Sequence, residues 1–150
     1  MHHEWRRGAY LISTDRQRLD LTVIHGFLTR AYWSTSIPRE TVQRAIEYAL
    51  NFGVYLEDQQ VGFARVVTDT ATFAYLADVF ILEAYRGQGL GVWLVETIMA
   101  HPDLQGLRRW TLATRDAHTL YQKVGFTPLK QPERWLEKVD FDIYTRHSSQ

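Results

Sequence analysis

Ala77-Asp78-Val79-Phe80-Ile81-Leu82-Glu83-Ala84-Tyr85-Arg86-Gly87-Gln88-Gly89-Leu90-Gly91-Val92-Trp93-Leu94-Val95 changes physical character twice along its length. Its opening is apolar and β-branched, its middle has glycine at positions 87, 89 and 91, and its close returns to an apolar periodicity of helical spacing. That order predicts strand, tight turn and helix. Glycine lets the backbone take φ > 0 and leaves no Cβ in the way, so several consecutive N–H groups can point into one concavity at the start of a helix. The helix dipole adds partial positive charge there and Arg86 stands beside it, so the concavity suits a phosphate.

Common nucleotide loops do not fit. A Walker loop ends in Gly-Lys-Ser/Thr, whereas Gly91 is followed by Val92-Trp93, with no lysine or hydroxyl to hold magnesium. The dinucleotide fingerprint needs Gly-x-Gly-x-x-Gly, whereas the spacing here is Gly87-x-Gly89-x-Gly91. Arg86-Gly87-Gln88-Gly89-Leu90-Gly91 instead resembles the Arg/Gln-x-x-Gly-x-Gly/Ala signature of the GCN5-related N-acetyltransferases (GNAT). Downstream, Ala117-His118-Thr119-Leu120-Tyr121-Gln122-Lys123-Val124-Gly125-Phe126 is similar to that family's Ala-x-x-Leu-Tyr-x-Lys-x-Gly-Phe. Both motifs stand in the expected order.

The resemblance implies an α/β fold of α+β type, with a mixed, mostly antiparallel central sheet flanked by about four helices. It also implies acetyl-CoA as co-substrate and direct transfer of acetyl to a primary amine of a small molecule or peptide. By that resemblance the backbone of Val79, Phe80 and Ile81 receives the thioester and the pantetheine arm. The amides of Gly87, Gln88, Gly89, Leu90, Gly91 and Val92, beside Arg86, hold the pyrophosphate, and Tyr121 serves the departing sulfur. A phenol of pKa ~10 is a suitable donor to a thiolate whose acid has pKa ~8.5. The sequence departs from the pattern twice. Ala77 stands where many members carry an acid that reaches the amine, and Thr114 where asparagine is common as a cofactor or loop contact. Asp78 could supply the missing acid if the strand is bulged; otherwise alternation turns it away and a structural ion pair with Arg65 is its role. The competing expectation is an acyl-CoA-binding sensor or interaction module with weak catalysis, favoured by Ala77.

Composition narrows the classes. A chain of 150 residues with 45% apolar content fits one domain, residues 1–150, able to bury a core. Formal net charge is zero, which disfavours nucleic acid and anionic membranes as partners. There is no cysteine, which excludes disulfides, thiolate catalysis and thiolate metal sites. The six histidines share no ligand spacing, so no metal is expected. Without a signal-like or membrane-length apolar run, a cytoplasmic location is the default expectation. A homodimer is compatible with the fold.

In chain order, Gly8–Thr14 reads as a first strand and the run from Asp20 as a helix capped by Asp20. Pro38 opens a second helix. Three strands follow, over 52–57, 61–68 and 72–82, then a helix from Gly89 to about His101 that Pro102 stops. A short strand at 109–113 precedes a helix from an Asp116 cap through Lys123, and Phe126-Thr127 and 135–144 are the final strands. The order is β-α-α-β-β-β-α-β-α-β-β. Tyr32 and Trp33 lie in the loop that covers the acceptor in related folds, and Arg65 points from its strand toward the same region. Aromatic walls with an arginine suit an amine that also bears a carboxylate; the alternative for Trp33 is helix packing. Trp135 belongs either to the acceptor side or to the core.

Overall fold

The computed structural model describes residues 1–148. Its centre is a six-stranded sheet in sequential order: β1 (Glu4–Arg7), β2 (Tyr10–Ser13), β3 (Leu50–Leu56), β4 (Gln59–Thr68), β5 (Phe73–Ile81) and β6 (Arg109–Thr111). Every neighbouring pair is antiparallel except β5 with β6, which run parallel. The five α-helices are α1 (Leu21–Leu28), α2 (Arg39–Glu47), α3 (Leu90–Met99), α4 (His118–Gln122) and α5 (Ile143–Ser148). This mixed architecture is the α/β class that the sequence predicts.

Alternation along β3, β4 and β5 gives each strand two apolar faces, so both sides of the sheet are covered. On one side Phe63 and Phe80 pack with Ile24 and Leu28 of α1 and with Val42 and Ile46 of α2. On the other, Phe52, Val54, Val66 and Leu76 pack with Leu90, Leu94 and Ile98 of α3 and with Tyr121 of α4.

Local signals act as the sequence suggests at three helix boundaries. Asp20 caps α1 by accepting from Val23 N, Pro38 stands at the N-cap of α2, and Pro102 begins a 3-10 turn after α3 has closed. The cap of α4 differs. Ala117, not Asp116, holds that position, and its N–H donates to Thr114 Oγ1 at 3.1 Å.

Both ends of the chain also depart from expectation. The single first strand is a hairpin of β1 and β2 turned at Gly8 (φ 58). Charged Glu4, Arg6 and Arg7 hide β1 from a hydrophobic reading, and they suit an edge strand. Neither Phe126-Thr127 nor 135–144 forms a strand; the second stretch is irregular before α5 begins. Val139, Phe141 and Ile143 alternate as a strand would, but among the described residues the stretch pairs with no sheet edge, so its apolar side chains stay uncovered. Leu136 and Phe141 accordingly stand 96% and 85% exposed.

Candidate active site

The parallel pairing of β5 and β6 spans only Phe73–Tyr75 against Arg109–Thr111. Beyond it β5 continues to Ile81 while β6 stops, so the sheet opens into a wedge. The wedge leaves backbone groups of β5 without a strand partner. Leu82 N donates to Val61 O at 2.8 Å, so by antiparallel alternation the groups of Ile81 face away from β4 and into the wedge. The side chain of Arg86 reaches Ile81 O from that side, Nε donating at 2.9 Å.

One end of the wedge is the glycine turn. Gly87 (φ 82) and Gly89 (φ 79) take the left-handed conformation, and Gly89 is the N-cap of α3. Trp93 N is the first α3 amide to bond within the helix, donating to Gly89 O at 3.0 Å, so the amides of Leu90, Gly91 and Val92 have no intrahelical acceptor. A Cβ built on Gly87 or Gly91 would meet nothing within 4 Å, which marks open space beside those amides. The turn is braced from behind by residues that carried no sequence signal. Arg7 Nη2 donates to Gln88 O at 3.0 Å, and Tyr10 Oη donates to Gln88 Oε1 at 3.1 Å. The Gln88 side chain therefore faces the first hairpin rather than the groove. Arg86, Gly87, Gly89, Leu90, Gly91 and Val92 line a groove of about 490 Å³ together with Val79, Phe80 and Ile81.

The other end is a second cavity of about 330 Å³, walled by Tyr32, Trp33, Arg65, Ala77 and Asp78, with Tyr144 of α5 reaching in from the C-terminal side. Thr114 lines this cavity, not the groove. Here β5 carries a bulge. Phe63 pairs with Phe80 and Arg65 with Ala77, so two residues, Asp78 and Val79, stand opposite Ala64. Asp78 takes φ 57, a conformation that aspartate tolerates better than most residues. The bulge breaks the alternation that would have turned Asp78 away. Its Oδ2 accepts from Arg65 Nε and its Oδ1 from Trp33 Nε1, both at 2.9 Å. Trp33 thus bonds to Asp78 in the cavity wall and also packs against Phe27 of α1, the helix packing that the sequence offers as its alternative role. Trp135 lines neither space; Arg109 stacks on its ring at 4.7 Å.

Groove and cavity share Tyr32, Trp33, Val79, Asp116, Ala117 and Tyr121. Tyr121 stands at this junction, 8% exposed, and its hydroxyl has no hydrogen-bond partner among the described residues. Burial, then Tyr32 and Asp116, pushes its pKa up to about 12, so at neutral pH it is a protonated donor. Among the described residues no group of three or more His, Cys, Asp or Glu gathers as a metal site, and no helix is long and apolar enough to cross a membrane.

Comparison with known proteins gives this geometry its place. Residues 48–128 match the model of the acetyltransferase (GNAT) domain, and that span contains the bulge, the glycine turn and Tyr121. The protein FG08082 of Gibberella zeae, whose name assigns it acetyltransferase activity only provisionally, is 33% identical over 142 residues, covering 79% of each chain. A GNAT-family crystal structure from Xanthomonas campestris pv. campestris superposes with a TM-score of 0.89 at 48% identity, covering 91% of this chain and 96% of that one. A Clostridium acetobutylicum structure described as a predicted acetyltransferase with acetyl-CoA shares the fold at 13% identity and a TM-score of 0.62, covering 93% and 96% of the two chains. With more than half of its length in the domain match, the chain belongs to the GNAT acetyltransferase family.

Proposed function

We propose that the protein transfers acetyl from acetyl-CoA directly to a primary amine of a small molecule or peptide. The observation that carries this reading is the meeting, at Tyr121, of an amide-lined groove and a separate polar cavity. Acetyl-CoA supplies a thioester when bound in the groove. The amides of Leu90, Gly91 and Val92 hold its pyrophosphate, and the open face of β5 at Val79 and Ile81 receives the pantetheine arm. Tyr121 donates its proton to the departing sulfur. Two cavities that share one wall hold donor and acceptor at fixed separation, which lowers the entropic part of the barrier.

Asp78 serves as the anchor of the cavity wall, fixing Arg65 and Trp33, rather than as a free base. An acyl-CoA sensor is the second reading, favoured by Ala77 facing the cavity without an acid and by the complete engagement of Asp78.

Calorimetric titration with acetyl-CoA and thiol release against a panel of amines separate the two. Binding with release for one amine class supports transfer, and binding without release supports the sensor. Tyr121→Phe is expected to lower kcat by roughly 10²-fold or more while leaving acetyl-CoA affinity nearly unchanged. A variant as fast as the parent removes the phenol from the reaction.

A further inference from the structure

Among the described residues only two acids line the groove and the cavity, Asp78 and Asp116, and they are held differently. Asp78 has both oxygens engaged, by Trp33 and Arg65. Asp116 is not used as a helix cap: Ala117 is the N-cap of α4 and no side chain caps the helix. Its charged neighbour is Arg115, with Nη2 3.8 Å from Oδ2, an exposed contact too long for a hydrogen bond. The loop that carries Asp116 is nonetheless pinned. Arg115 N donates to Tyr32 Oη at 3.1 Å, and the Arg115 guanidinium lies 3.8 Å from the centre of the Tyr32 ring. An available carboxylate thus stands on a fixed loop at the junction, beside Tyr121 and open to water, its side chain 68% exposed.

We propose that Asp116 draws the acceptor's ammonium group to the junction and takes its proton, an assignment that rests on the acetyl-transfer reading above. The ammonium gives one proton to the Asp116 carboxylate and becomes a neutral amine. Its lone pair forms the C–N bond to the thioester carbonyl as the C–S bond breaks. The sulfur takes the Tyr121 proton, the second nitrogen proton leaves to water, Asp116 releases its own to bulk solvent, and Tyr121 regains one. One proton is released overall. The titratable and charged groups that line the groove and the cavity with Asp116 are Arg115 on its own loop, Tyr32, Tyr75, Tyr85, Tyr121, Tyr144, Arg86 and the Arg65–Asp78 pair. Of the three cations, Arg115 stacks on Tyr32, Arg65 is paired with Asp78 and Arg86 donates to Ile81 O, so none closes off the carboxylate.

The test compares the full chain with Asp116→Asn and Asp116→Glu, using acetyl-CoA with butylamine, spermidine, lysine and glycinamide between about pH 6 and pH 10. Asp116→Asn is expected to lower kcat/KM by roughly 10²-fold at pH 7 and to recover as pH approaches the amine's own pKa. Asp116→Glu is expected to restore about a tenth or more of the parent rate, and acetyl-CoA affinity is expected to stay within about two-fold in both variants. An Asp116→Asn enzyme matching the parent in rate and pH slope overturns the assignment. A parent that binds acetyl-CoA yet acetylates none of the amines also overturns it, in favour of the sensor. A parent that fails to bind acetyl-CoA overturns the transfer reading together with it.

Discussion

Asp78 shows how one residue can join a backbone irregularity to a site. A left-handed φ costs an L-residue roughly 1–2 kcal/mol, and the bulge keeps it because the carboxylate then reaches both Trp33 and Arg65. With side-chain exposures of 20% for Arg65 and 12% for Asp78, the pair is screened less than a surface bridge, and removing one partner strands the other. Asp78→Ala is therefore expected to destabilise the fold by about 2–3 kcal/mol, after discounting for the partial exposure. Asp78→Asn keeps an acceptor for Trp33 and is expected to cost roughly half as much. Urea denaturation measures both. A loss for Asp78→Ala no larger than that of an ordinary surface change, about 0.5 kcal/mol, would mean that the bulge stands without the pair.

At the scale of elements, the start of α3 separates stability from binding. Gly91 lies in the first turn of α3 with open space where a Cβ would be, and its φ is not positive. Gly91→Ala is expected to raise stability by up to about 0.5 kcal/mol, since alanine gives up less backbone freedom in a helix. Alanine is the alternative that the family signature allows at this position, and the Gly91 amide is kept, so acetyl-CoA affinity is expected to stay within about three-fold. Thermal melts and calorimetry read the two effects separately. A roughly ten-fold loss of affinity would mean that the methyl intrudes on the bound pyrophosphate.

The same element shows what was legible in the sequence. Strand, glycine turn and helix were readable because each has a local signature; Tyr121 and Trp33 line both the groove that holds the glycine turn and the cavity that holds Arg65. The bulge was not readable, since it depends on register against β4 rather than on any residue type. Arg7 and Tyr10 carry no local signal because their contacts with Gln88 span 81 and 78 positions of sequence. Asp116 has a residue type that suits a helix cap, but the geometry of one turn puts Ala117 at the N-cap of α4, and Thr114 Oγ1 accepts from the Ala117 N–H.

Across the whole molecule, buried titratable groups bound the pH range of stability from both sides. His101, 1% exposed, accepts from Asp103 N through Nδ1, and burial, then His3, holds its pKa below the usual 6.5. As pH falls through that range the unfolded chain takes up a proton that the folded chain resists, so the contribution of His101 is complete above about pH 6.5 and is lost on acidification. At the alkaline end the sign reverses. Burial raises Tyr121 from 10.0 to about 12 and raises the 2%-exposed Tyr55 as well. The unfolded chain then loses protons first, so the tyrosine contribution is complete below about pH 10 and declines as pH rises beyond it. Urea midpoints are therefore expected to peak between these limits. His101→Phe should flatten the acid limb, and Tyr55→Phe with Tyr121→Phe should flatten the alkaline limb, whatever each substitution does to the plateau. If the parent and the tyrosine variants decline with the same slope above pH 10, the phenols are exchanging with solvent in the folded state. The junction at Tyr121 would then be wetter than its 8% exposure implies, and the phenol, with its pKa back toward 10.0, would be a stronger acid toward sulfur than the buried group.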